Sequence, residues 1–147
     1  MMADYSAQRP LQIKWDVSTL FKKRESAIFR MGRFNPQEML GLLVTEALLC
    51  GSPDICVEHL ETGWWVITSA MDWITEADKV VPFVRPITYK QGGPNSLRAE
   101  VYLTVFAREV LTASEEGYFM LKGESAPALG EILRGNQTIG RLVAFRE

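Results

Sequence analysis

Residues 36–74 read PQEMLGLLVTEALLCGSPDICVEHLETGWWVITSAMDWI, and this stretch decides the fold. Pro36 suits a first helical position, where its missing N–H would have no partner. Asn35 stands where an N-cap belongs, and Glu38, three residues on, completes a capping box. Apolar residues then crowd positions 39, 40, 42, 43, 44, 47, 48 and 49, which predicts a helix buried nearly all round. Gly51-Ser52-Pro53 stops it near Cys50. Asp54–His59 alternates as a half-buried strand, and Gly63–Ser69 follows after the turn at Glu61-Thr62-Gly63, an antiparallel hairpin. Trp65 and Ile67 point to one face of the second strand, Trp64, Val66 and Thr68 to the other. Bulk on both faces predicts a central strand.

Upstream, residues 1–12 read as a polar, loosely held arm and Leu11–Trp15 as a short edge strand, with Asp16 or Ser18 capping a short helix through Phe21 to Arg24. Downstream, Pro82 and Pro86 argue against regular structure between 70 and 91. Gly92-Gly93-Pro94-Asn95-Ser96 then breaks the chain. It predicts a second helix over LRAEVYLTVFAREVL, residues 97–111, with Asn95 or Ser96 as N-cap and Arg98, Arg108 and Glu109 on its exposed side, although the Val101–Val105 run also fits a strand. Gly117–Lys122 and Ile139–Phe145 read as strands. The order helix, hairpin, helix, strands predicts an α+β two-layer sandwich, with helices packed on one face of a mostly antiparallel sheet.

Length and composition agree with a single domain and exclude intrinsic disorder: 147 residues, 47% hydrophobic, with four Trp and seven Phe, are ample for a core. A net charge of −2 supplies no basic field for nucleic acid, and Lys22-Lys23-Arg24, the only basic run, reads as a solvated patch. No apolar run approaches the roughly 18 residues of a membrane helix. The first residues, MMADYSAQRPLQ, lack the apolar core of a signal peptide, so the expected location is cytoplasmic. Cys50 and Cys56 are too few for a disulfide framework or zinc cluster and read as buried free thiols. His59, the only histidine, has no second ligand at metal spacing, so no metal site is predicted.

Over roughly residues 20–146 the chain resembles the N-terminal ATPase domain of the gyrase B and topoisomerase type, the GHKL group. FKKRESAIFRMG is similar to the segment before that family's first long helix. EALLCGSPDICVEHLETGWWVITSAMDWI is similar, without a gap, to its run through the hairpin to the adenine-binding Asp-x-Gly-x-Gly motif. GGPNSLRAEVYLTVFAREV resembles the Gly-rich phosphate turn and following helix, and NQTIGRLVAF the Thr-Gly-Thr strand that closes the pocket. The resemblance implies a Bergerat-type fold and a set of candidate positions. Glu38 takes the place of the general base, but the family's magnesium-binding Asn is Leu42, which offers no oxygen to a hard cation. Ser69 takes the place of the adenine-binding Asp, with Asp72 as its displaced alternative, and the motif's glycines are replaced by Met71 and Trp73. Trp73 is large enough to fill the adenine space. Gly92 and Gly93 survive at the phosphate turn, followed by Asn95 and Ser96; a helix start there would still attract an anion. Thr138 and Gly140 survive in the closing strand, whose second Thr is Arg141, and the segment standing for the ATP lid is short.

Two readings follow. In the first, the domain has lost ATP hydrolysis, needs no cofactor, and serves as a binding or regulatory module for an unknown protein partner. In the second, it is a divergent ATP-binding protein or ATPase that uses Glu38 and the Gly92-Gly93 turn, with magnesium held by phosphates and water.

Overall fold

The computed structural model describes residues 17–124, 132 and 140–147. The predicted arm, the Leu11–Trp15 strand, Asp16 and Thr138 lie outside the described residues. Helices α1 (Val17–Lys22) and α2 (Glu25–Ile28) lead to the long helix α3 (Pro36–Leu49). The hairpin β1 (Ile55–His59) and β2 (Trp65–Ser69) follows, then a single helical turn α4 (Val81–Val84) and helix α5 (Glu100–Phe106). Strands β3 (Glu109–Ser114), β4 (Gly117–Lys122) and β5 (Arg141–Arg146) complete the order.

The five strands form one sheet in the order β1-β2-β5-β3-β4, every neighbouring pair antiparallel. The last strand is thus inserted between two hairpins. Its register sets Ser69 opposite Arg141 on one side and Thr112 opposite Val143 on the other. Ile67, Val110, Val143 and Phe145 pack beneath Met39, Leu40, Leu43 and Ala47 of α3 and Leu103 of α5, the predicted helical layer. On the opposite face Trp64, Val66, Leu111, Leu142 and Ala144 pack with Ile132. Strand β2 is central, as the bulk on both its faces requires. Phe21 of α1 ties to Val101 and Val105, fastening the first helix to α5. Among the described residues no helix is long and apolar enough to cross a membrane.

Several expectations are corrected. Helix α3 is not buried all round: its buried residues are Met39, Leu40, Leu43, Glu46 and Ala47, a stripe at i, i+3, i+4 and i+7, while Leu48 and Leu49 are about half exposed. The predicted 97–111 helix spans only Glu100–Phe106, with Ala99 as a cap that makes no side-chain cap bond, so neither Asn95 nor Ser96 caps it. Its second half, Glu109 onward, is strand β3, because valine, leucine and threonine there pair with the central strand β5. Arg98 and Glu109 are buried rather than exposed. Cys56 is exposed and Cys50 half-buried, both as free thiols, Cys56 lying on the edge strand β1. Helix α1 also begins at Val17, which puts Ser18 inside the helix and not at its cap.

Candidate functional site

Helix α3 starts as its sequence dictates. Asn35 Oδ1 accepts the Glu38 N–H at 3.0 Å, but the Glu38 carboxylate does not return to Asn35; both its oxygens accept the Arg30 N–H, at 3.1 Å. The carboxylate therefore braces the α2–α3 connection. One turn past Leu42, on the buried stripe, stands Glu46. It is 1% exposed and its Oε1 accepts the Ala99 N–H at 2.6 Å. The backbone donor at the start of α5 thus already holds a carboxyl supplied from within the chain.

Around Glu46 the chain builds a buried ionic cluster. Arg98, fully buried, donates from Nη1 to Glu46 at 3.2 Å, from Nε to Glu76 at 2.9 Å and from Nη2 to Thr75 Oγ1 at 2.9 Å. Its guanidinium also lies 5.3 Å from the centre of the Tyr89 ring. Glu100, equally buried, accepts the Trp73 indole N–H at 3.0 Å. Burial above all, then the hydrogen bond to Glu100 and its charge, raises the pKa of Glu46 far above the carboxylate range, so the Glu46–Glu100 pair keeps a proton at neutral pH. One guanidinium then faces one net negative charge from that buried pair, and the second, on Glu76, lies at the partly exposed edge where solvent screens it.

A second cluster closes the C-terminal end of β2. Arg141, 2% exposed, grips Asp72 with Nε at 3.0 Å and Nη2 at 2.7 Å, and its Nη1 reaches Thr112 Oγ1 at 3.1 Å. Asp72 also accepts the Ile74 N–H at 2.9 Å, and Lys79 stands 3.6 Å away. Burial alone would raise the Asp72 pKa; the Arg141 hydrogen bond and charge overcome it and hold it below its ordinary value. Gly140 presses onto this turn. Its N–H donates to Ser69 O at 2.8 Å, and a Cβ there would lie 2.6 Å from the Met71 carbonyl carbon, so no larger residue fits. A cleft of about 280 Å³ opens beside Asp72, Arg141 and Gly140, walled by Lys79, Glu115 and Glu116.

Ser69, Asp72 and Gly140 are therefore brought together from positions some seventy residues apart in the chain. Ser69 Oγ accepts the Met71 N–H at 3.2 Å, which stabilises the turn. Gly92, Gly93, Asn95 and Ser96 form their own tight loop: Ser96 Oγ donates to Gly92 O, Gly93 has φ +101°, and Asn95 takes the left-handed φ of 62°. That loop ends in an isolated pairing of Thr88 with Leu97, upstream of the start of α5. Glu38 belongs to neither group; its carboxylate is committed to Arg30. Trp73 is fully buried in the main core.

Sequence reasoning passed over Glu46 and Glu100 and set Arg98 on an exposed face, though these three are the most deeply buried charges among the described residues. One signal was available: Glu46 falls seven residues after Met39 and three after Leu43, in phase with the buried stripe. His59, the only histidine, lies flat on Trp65 with ring centres 3.6 Å apart. Comparison with protein-family models, curated proteins and solved structures gave no match.

Proposed function

We propose that this chain is a degenerate ATPase domain of the gyrase B, GHKL type that no longer hydrolyses ATP and works as a binding or regulatory module in the cytoplasm, with a protein partner. The observation that carries the reading is the grip of Arg141 on Asp72. The family's adenine-binding Asp is replaced by Ser69, and Asp72, the carboxylate that could stand for it from a displaced position, is hydrogen-bonded on both oxygens by the chain's own guanidinium, at 2.7 and 3.0 Å. Two further facts support it. The Glu38 carboxylate, assigned to water activation, is held by the Arg30 N–H, and the Ala99 N–H at the start of α5 is taken by Glu46. The resemblance itself gains support from the meeting of residues 69–72 with Gly140, since the adenine motif and the closing strand would have to adjoin.

Thermal unfolding of the full chain with millimolar Mg-ATP, Mg-ADP or a non-hydrolysable analogue tests the proposal. A nucleotide present at 100 times its dissociation constant would add about 2.7 kcal/mol, an easily measured rise in Tm. The expected result is no rise and no phosphate release. A nucleotide-dependent rise would overturn the reading in favour of a divergent ATPase, with Glu38→Gln as its first variant.

A further inference from the structure

Away from both clusters, a groove of about 670 Å³ runs between the first helices and the end of α5. Its apolar side holds Phe34 and Phe106, half-buried and nearly parallel, with ring centres 6.2 Å apart. Four cations surround them: Lys22 at the end of α1, Arg33 beside Phe34, Arg108 just after α5, and Lys122 at the end of β4. Two carboxylates also line the groove, Glu25 and Glu147, but Glu25 already accepts the Phe34 N–H at 2.7 Å. Among the described residues, no carboxylate lies within ion-pair distance of any of the four cations. Lys122 spends one donor on Thr104 O at 2.9 Å. Burial, and then the charge of Lys22, holds the Lys122 pKa below that of an ordinary lysine, so the two ammonium groups face the same space.

Four cations without ion-pair partners among the described residues, set around an aromatic floor against two carboxylates, leave the groove net positive and favour an entering anion. The volume suits a few residues of peptide. A nucleic acid would have to track along a chain that carries −2 overall, and Glu25 and Glu147 line the groove itself. We infer that this groove docks an acidic peptide segment of a partner protein, its carboxylates on Lys22, Arg33, Arg108 and Lys122 and an apolar side chain on Phe34 and Phe106. The inference rests on the binding-module reading and names the partner's chemistry.

The test is fluorescence anisotropy of the full chain with a short labelled peptide of Asp and Glu around a central Leu-Phe pair. Binding should weaken as salt rises. It should also weaken when the Leu-Phe pair is replaced by Gly-Ser, and fall about tenfold or more in Arg33→Glu/Arg108→Glu. Both arginines are exposed, so that variant should keep its Tm; if it does not fold, Lys22→Glu, also exposed, is read in its place. Absence of binding, or an affinity indifferent to charge reversal, would overturn the inference. So would tighter binding of an oligothymidylate, which would mark a nucleic-acid surface instead. Adding Mg-ATP to the same proteins keeps the two readings apart. A nucleotide-dependent rise in Tm that persists in the charge-reversed variant would sink the module reading and leave the groove result standing.

Discussion

Glu46, Trp73 and Arg141 each carry a testable consequence of burying polarity. Glu46 titrates near 4.5 in the unfolded chain and is pushed up to about 10 in the folded one, so the folded state binds the extra proton between those values. Its contribution to stability therefore declines as pH rises through that window, at no more than about 1.4 kcal/mol per pH unit. Glu46→Gln keeps the acceptor for Ala99 and offers an N–H to Glu100. It should gain stability relative to the parent as pH rises from 5 to 9, seen by urea unfolding at each pH; a constant difference would mean that Glu46 is charged when folded. Trp73→Phe should cost about 1–3 kcal/mol, because it leaves the Glu100 carboxyl buried without its indole donor. For Asp72 the sign is opposite. Its lowered pKa contributes stability that is complete above about 4 and fades as pH falls through the folded value. Arg141→Met should raise the Asp72 pKa in carboxyl NMR titration and remove that part of the acid dependence.

At the scale of elements, α3 is set by its first turn. Asn35→Ala should cost about 1 kcal/mol, the usual loss for an N-cap. Glu38→Gln should cost less than that, since the amide oxygen can still accept from Arg30, and chemical denaturation would resolve the two. The contact of β5 with the turn after β2 is backbone on backbone and cannot relax by turning a side chain. Gly140→Ala should therefore destabilise by about 1–3 kcal/mol or more, beyond the cost of adding a methyl group elsewhere on the sheet. A wild-type Tm in that variant would show that the two segments do not pack this closely.

For the molecule as a whole, Arg98 joins α3, the loop at Thr75 and Glu76, and the start of α5, three parts that the sheet does not link directly. Removing it leaves buried carboxyls without a counter-charge, a loss of about 3–5 kcal/mol. A domain of ordinary stability has about 5–15 kcal/mol in total, so Arg98→Ala should show a sharply lowered urea midpoint. Arg98→Lys should not rescue it, because a single ammonium cannot span Glu46, Glu76 and Thr75 in their fixed fork.

The long helix from Pro36, the hairpin after it, the central place of β2 and the α+β layering were all legible in the sequence. Capping residues, turn glycines and period-two alternation act over a few residues and are legible there. The sequence did not reveal which side of α3 faces inward, because Leu48 and Leu49 are as apolar as Leu40 and Leu43; the sheet's position chose the stripe and took Glu46 in with it. Nor did it separate α5 from β3, since the run from Val101 to Leu111 fits either structure until pairing with β5 decides. The union of Ser69, Asp72, Gly140 and Arg141, and the burial of Arg98 among Glu46, Glu76 and Thr75, exist only in three dimensions. A buried charge is tolerable only where distant segments supply its partners, and no local pattern records which segments those are.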